Sequence, residues 1–427
     1  MAASSPTYRG SIAGMPLGIT SSLSPRLVVV MVGLPARGKT YTARKLARYL
    51  SWLGYQAKVF NVGNHRRRIS GSHVPHSFFD PENPEGIAAR RQAAESALSD
   101  LHTWMDGGGQ IGIYDATNTT NSRRLWVRQE CERAGMEVLF IEVVCNDAAI
   151  VEGNIRETKL TSPDYTGEDS TRAVTDFRAR IAHYEQAYEP ITDDRLHYIK
   201  IIDLGRQLII NRIEGFLTSQ IVQFVSNLHT APRPIWLTRH GQSEANVVGR
   251  IGGDTPLSPA GVQFSHRLTR FLNERVGDTV TIWTSSLRRT IQTGEALGRP
   301  TSALKRLDEI DAGVCDGMTY AEIQRLMPED YAARREDKLR YRYPRGESYE
   351  DVIRRINPVL LELERQRGPI LVIAHQAVLR TLCAYFTDHP REECPHLHVP
   401  LHTVIELTPK AYGTAERQYR LGPSTQS

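Results

Sequence analysis

Short apolar runs, often β-branched, alternate with longer amphipathic segments through the first half of the 427-residue chain. Apolar runs of four to eight residues are typical of buried strands, whereas apolar residues spaced three and four apart are typical of helices. The pattern predicts strands at Leu27–Val32, Ala57–Val62, Ile111–Tyr114, Val138–Val143 and Tyr198–Ile202, and helices at Thr40–Leu53, Glu85–Met105 and Thr171–Tyr188. Strands that alternate with helices favour an α/β fold with a parallel sheet covered by helices.

The alternation pauses near the middle of the chain and then restarts. Arg206 to Leu228 predicts one long helix, which the two prolines of the segment 229–234 would end. Further strands are predicted at Ile235–Leu237, Thr281–Thr284, Ile370–Ala374 and Thr403–Leu407. Because the chain is too long for one ordinary core, we predict two α/β domains at 26–230 and 231–421. A Ser-, Gly- and Pro-rich leader at 1–25 and a tail at 422–427 are expected to be disordered.

Composition narrows the class of protein and its ligands. No continuous apolar stretch is long enough to span a bilayer, and the leader lacks the features of a secretory signal, so no membrane partner is expected. Five scattered cysteines without a CxxC pair favour a reducing, cytoplasmic location. The net charge of +5 mildly favours anionic ligands. Because no basic stripe with interleaved aromatic residues is present, small phosphorylated metabolites are favoured over nucleic acid.

The sequence GLPARGKT lies between the first predicted strand and helix and matches the phosphate-binding pattern GxxxxGK[ST]. Backbone amides of such a loop surround the β- and γ-phosphates of a nucleotide, and the positive end of the following helix adds to the attraction. The lysine neutralises charge on the transferred phosphoryl group, and the hydroxyl of Thr40 ligates Mg²⁺. The predicted ATP-binding residues are Gly33, Leu34, Pro35, Ala36, Arg37, Gly38, Lys39 and Thr40.

Two polar segments follow neighbouring predicted strands at the same edge of this sheet. Asp115 comes directly after Ile111–Tyr114 and is a candidate second ligand of Mg²⁺, although an Asx turn that caps the next helix would use the same residue. Arg66, Arg67 and Arg68 follow Ala57–Val62. Consecutive arginines usually form a solvated surface, but at a strand end they could bind an anionic acceptor.

The second half carries a different set of motifs. Arg239-His240-Gly241 follows a strand, and Thr284 to Thr293, Glu309 and Ala374-His375-Gln376 come later. In their order these motifs resemble those of the histidine phosphatase superfamily. A neutral imidazole of His240 would attack phosphorus, while Arg239, Arg289 and a protonated His375 would stabilise the phosphoryl oxygens. The arginines are expected to lower the pKa of His240. Glu309 resembles the proton donor of that superfamily and is expected to carry a proton beside a bound anion.

Taken together, the strings GLPARGKT, FNVGNHRRR, IYDATNTT and NIRETKLTSPDY and the second-half motifs resemble the 6-phosphofructo-2-kinase/fructose-2,6-bisphosphatase family from about Arg26 to Gly413. The resemblance implies a P-loop kinase domain followed by a phosphoglycerate-mutase-like phosphatase domain. The first would transfer the ATP γ-phosphoryl group to the C2 hydroxyl of fructose 6-phosphate. The second would hydrolyse fructose 2,6-bisphosphate, a signal for glycolysis against gluconeogenesis. A homodimer joined through kinase domains is also implied.

The resemblance also implies roles for individual residues. Lys159 would lie near the transferred phosphoryl group, Asn154 would line the ATP site, and Cys145 would lie at the kinase site unless it is a buried structural thiol. The residues implied to hold fructose 6-phosphate are Arg66, Arg90, Thr117, Arg123, Arg180 and Tyr184. In the phosphatase, Asn246 and Gly252 would line the site, and the sugar and its 6-phosphate would be bound by Tyr320, Arg334, Lys338, Tyr349, Gln376 and Arg380.

One position departs from the family pattern, one motif suggests a modification, and three other functions are compatible with the sequence. Gln242 stands where many relatives have glutamate, which predicts an altered rate and not a dead site. Arg67-Arg68-Ile69-Ser70 resembles a target of basophilic kinases, although an unmodified serine is the simpler interpretation. The chain could retain mainly one activity, could be a polynucleotide end-repair kinase–phosphatase, or could be a metabolite sensor without turnover.

Overall fold

The computed structural model describes residues 26–156, 163–167, 169–229, 233–276, 279–410 and 413–422. The predicted leader, Lys159 and residues 423–427 of the predicted tail lie outside the described residues. Within the described ranges, no helix combines the length and the apolar character that crossing a membrane requires. The proposed domain boundaries stay predictions, because residues 230–232 are also outside the described part.

The first half of the described chain forms a sheet in the order β2-β3-β1-β4-β5-β6, with helices between the strands. Strand β1 lies between β3 and β4, pairs in parallel with both, and is buried along its whole length. The strands are β1 Leu27–Val32, β2 Ala57–Asn61, β3 Ile111–Asp115, β4 Glu137–Val144, β5 Tyr198–Ile202 and β6 Gln207–Asn211. The helices are α1 Lys39–Leu53, α2 Val62–Ser70, α3 Pro84–Asp106, α4 Asn121–Arg133, α5 Ala148–Asn154, α6 Ser170–Gln186 and α7 Phe216–Ser226.

The predicted long helix from Arg206 to Leu228 is wrong. Asp203, Leu204 and Gly205 have φ values of 46°, 57° and 86°, which turn the chain back on itself. Strand β6 therefore pairs antiparallel with β5, and a second turn with Gly215 at φ 85° precedes α7. The second turn, with Arg212 at φ 51° and Gly215 at φ 85°, lies within the predicted helix, and positive φ values there are incompatible with a continuous right-handed helix. The first sheet is consequently mixed, and not wholly parallel as predicted.

The second half forms another mixed sheet, in the order β12-β11-β7-β10-β8-β9. Strand β7 pairs in parallel with β10 and antiparallel with β11, and the predicted α/β class is confirmed. The strands are β7 Ile235–Arg239, β8 Thr281–Thr284, β9 Ser302–Ala303, β10 Ile370–Ala374, β11 Thr403–Lys410 and β12 Gly413–Arg420. The helices are α8 Glu244–Val247, α9 Pro259–Arg275, α10 Arg288–Glu295, α11 Tyr320–Leu326, α12 Pro328–Glu336, α13 Tyr349–Arg365 and α14 Gln376–Phe386.

Helix α1 joins the two halves. It begins at the phosphate-binding loop and packs against α13 and α14. The indole Nε1 of Trp52 donates a hydrogen bond to the carbonyl of Thr381 at 3.0 Å. Nζ of Lys45 lies 2.6 Å from Oε1 of Glu364, and both side chains are buried. Apolar residues of both halves belong to one continuous core around this contact.

Candidate active sites

The phosphate-binding loop connects β1 to α1, as predicted. The amide of Gly33 donates to the carbonyl of Thr117 at 2.9 Å, and its φ of 130° suits only glycine. A Cβ at Gly33 would also clash with the carbonyl of Val143 at the end of β4. Nζ of Lys39 donates to the carbonyl of Leu34 at 2.6 Å, so the lysine head is folded back over the loop. The loop and the first turn of α1 thus present amides and a cation to one anion.

Asp115 ends β3, the strand beside β1, and its carboxylate is buried. Oδ2 of Asp115 accepts a hydrogen bond from Nδ2 of Asn61, which ends β2, at 2.6 Å. A buried carboxylate is unfavourable unless positive charge balances it, and the Asn61 amide brings no charge. Asp115 and the Thr40 hydroxyl at the start of α1 therefore fit the predicted Mg²⁺ of an ATP complex.

Three arginines converge on Asp164, a residue that sequence reasoning did not single out. Arg66 NH2 donates to both carboxylate oxygens at 2.7 Å, while Arg67 and Arg180 each approach at 3.3 Å. Although burial alone would raise the pKa of Asp164, these guanidinium groups hold it below its ordinary value. The sequence could have pointed to Asp164, because it is an acidic residue of NIRETKLTSPDY that follows the predicted site residues Asn154 and Lys159. Arg66 to Arg68 lie in α2 and not in a loop, with Ser70 as the last helical residue.

Other predicted sugar-phosphate residues surround a short turn at His76–Phe79. The ring of Phe79 lies 3.7 Å from the guanidinium carbon of Arg180 and 5.9 Å from the ring of Tyr184. Arg90 donates to the carbonyls of Phe78 and Asp80, and Arg123 donates to the carbonyl of Arg90 at 3.4 Å. The predicted arginines and tyrosine therefore come together, and Thr117 joins the phosphate-binding loop through its carbonyl.

Of the remaining predicted kinase residues, Asn154 contacts the phosphate-binding loop, whereas Cys145 is a buried thiol. Nδ2 of Asn154 donates to the carbonyl of Ala36 at 3.0 Å, which places α5 against the phosphate-binding loop. Cys145 is buried just after β4, and burial raises the pKa of its thiol. A protonated thiol is a weak nucleophile, so the structural alternative for Cys145 is favoured. Lys159, as noted, is not among the described residues.

His240 follows β7 and is held by hydrogen bonds on both ring nitrogens. Nδ1 lies 2.7 Å from the carbonyl of Gly241, and Nε2 accepts from Nε of Arg289 at 3.2 Å. Since a carbonyl only accepts, the proton is assigned to Nδ1 and the lone pair to Nε2. Burial, followed by the charges of Arg289 and Arg239, lowers the pKa of His240 well below its ordinary value. The expected neutral, nucleophilic imidazole agrees with this geometry.

His375 precedes α14 and faces His240 with the ring centroids 5.1 Å apart. It is fully buried, and Nε2 lies 2.7 Å from Oγ of Ser285. Burial, then the nearby Arg289 and His240, lowers the pKa of His375 well below the ordinary value. Burial beside cations disfavours the protonated form of His375, and the role of a protonated His375 at bound phosphoryl oxygens stays a prediction.

Glu309 reaches the same site from the opposite side. Its two carboxylate oxygens accept hydrogen bonds from the backbone N–H groups of Gln376 and Ala377, both at 3.1 Å. These amides open α14, so the helix N-terminus and the residue after His375 hold the carboxylate. Arg239, at the end of β7, donates to the carbonyl of Val399 at 3.3 Å. Four of the five predicted catalytic groups of this site, Arg239, His240, Glu309 and His375, are thus anchored to β7 and α14.

A basic and aromatic cluster lies next to this centre. NH2 of Arg334 donates to the hydroxyl of Tyr320 at 3.0 Å, and NH1 of Arg380 donates to the hydroxyl of Tyr349 at 3.1 Å. Nζ of Lys338 lies over the ring of Tyr349 at 5.9 Å. Burial, followed by the charges of Arg380 and Arg334, lowers the pKa of Lys338 to about 8. Such a crowded set of cations suits a bound phosphate.

Three other residues that the sequence analysis named in the second half are Asn246, Gly252 and Gln242. Asn246 caps α8 through a reciprocal pair of bonds with Ser243. Gly252 has φ 71°, and a Cβ there would clash with Asp316. The next residue, Gly253, accepts from NH1 of Arg289 at 2.6 Å, which brings this loop to the site. Oε1 of Gln242 accepts from Oγ of Ser258 at 3.0 Å, so its amide supports the entry to α9.

Comparison with known proteins finds a matching family model for each half of the chain. The family model described as 6-phosphofructo-2-kinase matches residues 18–232, and that of the histidine phosphatase superfamily (branch 1) matches residues 235–421. The chain is 50% identical over 390 residues to 6-phosphofructo-2-kinase/fructose-2,6-bisphosphatase of Aquarana catesbeiana, covering 90% of this chain and 83% of the relative. A Homo sapiens relative, 6-phosphofructo-2-kinase/fructose-2,6-bisphosphatase 1, is 49% identical, with 90% of this chain and 82% of the relative covered.

A plant relative extends beyond the matched region. The chain is 48% identical over 430 residues to 6-phosphofructo-2-kinase/fructose-2,6-bisphosphatase of Arabidopsis thaliana, covering 98% of this chain but only 57% of the relative. The chain thus spans little more than half the length of that relative. Both family models nevertheless match in the order that the motifs predicted. The chain belongs to the 6-phosphofructo-2-kinase/fructose-2,6-bisphosphatase family.

Proposed function

We propose that this chain synthesises fructose 2,6-bisphosphate from fructose 6-phosphate and ATP, and hydrolyses the same ester back to fructose 6-phosphate and phosphate. The observation that carries this proposal is the arrangement at His240. Its Nε2 lone pair is directed at the Arg289 guanidinium, on a chain whose other half pairs a phosphate-binding loop with clustered arginines. The first half would install the phosphoryl group that the second half removes.

In the kinase half, the chain's own groups bind and orient both reactants. The loop amides and the N-terminus of α1 would hold the ATP phosphates, and Lys39 would move from the Leu34 carbonyl to the γ-phosphoryl oxygens. Mg²⁺ held by Thr40 and Asp115 would supply positive charge to the bridging oxygens. The arginines around Asp164 would bind the 6-phosphate of the sugar. Positioning and charge neutralisation then account for most of the catalysis, because the transition state is loose.

In the phosphatase half, the reaction proceeds in two displacements. Nε2 of His240 attacks the 2-phosphoryl phosphorus, the bond from phosphorus to the C2 oxygen breaks, and Glu309 donates its proton to that oxygen. A water molecule then attacks phospho-His240, Glu309 takes the proton from water, and the N–P bond breaks. Arg239 and Arg289 stabilise the phosphoryl oxygens in both steps. The cluster of Arg334, Lys338 and Arg380 would hold the 6-phosphate.

We also propose a homodimer formed through the kinase half and a cytoplasmic location. Strand β6 is the edge of the first sheet and exposes Ile209 and Ile210, while Phe216 beyond it is 68% exposed. An exposed apolar edge strand is a ready surface for pairing with another chain. The buried, free thiols support a reducing compartment. Ile210→Lys should shift the sedimentation coefficient from dimer to monomer, because it places a charge on the exposed edge strand.

The test measures both rates on one purified preparation at fixed ATP and phosphate. Fructose 6-phosphate with MgATP should yield fructose 2,6-bisphosphate, and 2-³²P-labelled product should transfer its label to His240 and then to water. Absence of both products would leave a sensor without turnover, and transfer to an oligonucleotide 5′-hydroxyl would support the end-repair alternative. A product in only one direction would indicate a chain that retains a single activity.

A further inference from the structure

We propose that Arg355 is a positioning residue of the phosphatase, which holds the main chain on both sides of Glu309 so that its carboxyl reaches the departing C2 oxygen. This inference rests on the proposed function, in which Glu309 is the proton donor. Arg355 lies on α13, whereas Glu309 lies in an irregular segment that follows a short turn at Lys305–Leu307. Such a segment has few hydrogen bonds of its own and depends on side chains to fix it.

The guanidinium of Arg355 donates to three backbone carbonyls of this segment. NH1 lies 2.7 Å from the carbonyl oxygen of Arg306, and NH2 lies 3.1 Å from that of Asp308 and 3.4 Å from that of Glu309. One side chain thus holds the catalytic acid and the residues before it. A planar guanidinium can make these bonds together, because its donors diverge in a fixed fork.

Glu347 extends the same support to the residues after Glu309. Its carboxylate pairs with Arg355 through two bonds, of 2.8 Å from Nε and 3.0 Å from NH2. Oε2 of Glu347 also accepts from the amide of Asp311 at 3.1 Å, and the amide of Glu347 donates to the carbonyl of Asp311 at 2.9 Å. The Arg355–Glu347 pair therefore spans Glu309 from residue 306 to residue 311.

A second set of contacts fixes the other face of the segment. The amide of Ser286 and its hydroxyl both donate to Asp308, at 2.8 Å each, and the carboxylate of Glu309 is bonded to the first amides of α14. The acid is consequently held between α13 and α14. Loss of Arg355 would remove the α13 side alone. The three carbonyls would lose the guanidinium donors, and the Glu347 carboxylate would keep only the bond from the Asp311 amide among those described above.

Catalysis by a proton donor is sensitive to small displacements. General acid catalysis contributes roughly 10²- to 10⁴-fold, and a displacement of about 1 Å can cost about 10²-fold. We therefore expect Arg355→Ala to slow the formation of phospho-His240 by about 10-fold or more. The affinity for fructose 2,6-bisphosphate should change little, because Arg355 does not belong to the cluster that would bind the 6-phosphate.

The experiment uses the full-length protein and a double-mutant cycle. Labelling of His240 by 2-³²P-fructose 2,6-bisphosphate is followed by rapid quench for wild type, Arg355→Ala, Glu309→Gln and the double variant. If Arg355 acts through Glu309, its replacement should slow wild type about 10-fold or more but change the rate of Glu309→Gln by less than about 2-fold. Arg355→Lys should fall between Arg355→Ala and wild type, since lysine keeps the charge but not the fork.

The matched control is Arg354→Ala. Arg354 precedes Arg355 on α13, is half exposed, and pairs with Glu350 and Asp351 on the surface. His240 of Arg354→Ala should be labelled at the wild-type rate. Kinase activity, measured on the same chain, reports that each variant is folded. The inference is overturned if Arg355→Ala slows the labelling of His240 equally in wild type and in Glu309→Gln, or does not slow it in wild type. Either result leaves the proposed function intact. Absence of label in wild type overturns the proposed function and the inference with it.

Discussion

Nε of Arg289 lies 3.2 Å from Nε2 of His240, on the side of the ring opposite the bond between Nδ1 and the Gly241 carbonyl. The arginine therefore lies along the direction of the lone pair. In the proposed phosphatase reaction the phosphorus would approach from that direction, and Arg289 would exchange its bond to nitrogen for bonds to phosphoryl oxygens. The same guanidinium would thus protect the free nucleophile and then stabilise the transferred group.

Replacing single side chains should separate the two proposed activities. His240→Ala should lower release of the 2-phosphate by on the order of 10³-fold or more, because the nucleophile is lost. Lys39→Met should abolish synthesis of fructose 2,6-bisphosphate instead, since the γ-phosphoryl group loses its nearest cation. Each variant is the control for the other, and both rates are measured on each preparation. Phosphate release by His240→Ala near the wild-type rate would contradict the assignment.

Stability should fall in mild acid because two buried imidazoles resist protonation. The pKa values of His240 and His375 are both lowered well below 6.5 by burial and by Arg289. Below about pH 6.5 the unfolded chain then binds more protons than the folded chain, so the free energy of unfolding decreases as pH falls. The loss should be on the order of 1 kcal/mol per pH unit for each histidine. It should be absent at pH 7.5 and above.

Thermal unfolding at pH 7.5 and pH 5.5 checks this. The Tm of wild type should be lower at pH 5.5 than at pH 7.5. The difference should be smaller in His375→Gln, whose amide does not titrate in this range. An identical pH dependence in both proteins would show that His375 is not the origin of the effect.

The ion pair between the two halves should be sensitive to loss of one partner. Although burial alone would raise the pKa of Glu364, Lys45 and the hydroxyl of Tyr385 hold it at about 2, so the carboxylate is charged. Glu364→Gln would leave the Lys45 ammonium buried beside a neutral amide, at a cost of about 3–5 kcal/mol. Urea denaturation should show a lower midpoint, and Lys45→Met in the same chain should restore part of it.

The control for this pair lies two residues away. Glu362 is also on α13 but forms a surface pair with Arg365, whose side chain is 62% exposed. Glu362→Gln should change the free energy of unfolding by less than about 1 kcal/mol. If both glutamine variants unfolded at the same urea concentration, the buried pair would have no special role in stability.

The glycine that starts the phosphate-binding loop should not tolerate alanine. Gly33 combines a φ of 130° with a predicted clash against the Val143 carbonyl, whereas Gly135 has φ 70° and open space around it. Gly33→Ala should therefore lower Tm more than Gly135→Ala, which incurs backbone strain of only about 1 kcal/mol. Kinase activity should be lost with Gly33→Ala, because the first loop amide moves. Equal Tm values for the two variants would contradict this account.

Much of the architecture was predictable because local pattern and tertiary structure agree. The strands that carry the phosphate-binding loop and His240 are apolar runs buried on both faces, and each is followed by a conspicuous polar motif. The phosphate-binding loop was predictable in detail, since its glycines and lysine lie within the single short string GLPARGKT. Periodicity failed between Arg206 and Leu228, because three consecutive left-handed residues just before this range turn the chain so that QLIIN pairs as a strand with β5, which its apolar spacing does not reveal.

Long-range contacts account for what the sequence could not predict. Asp164 becomes important only when α2 and α6 bring Arg66 and Arg180 to it. The protonation of His375 depends on complete burial against Ser285 and on cations distant along the chain. Arg355 is one of many arginines on a helix surface until the segment around Glu309 folds over it. Each of these outcomes depends on distances between elements, which hydrophobic spacing does not encode.

The Lys45–Glu364 contact has an evolutionary consequence. Gene fission would expose an unmatched charge and an apolar seam in each product, so selection should preserve the fusion even after one chemistry becomes dispensable. Descendants that lose one reaction are then expected to lose it through point substitutions in that active site. They should retain the inactive half because it stabilises the other.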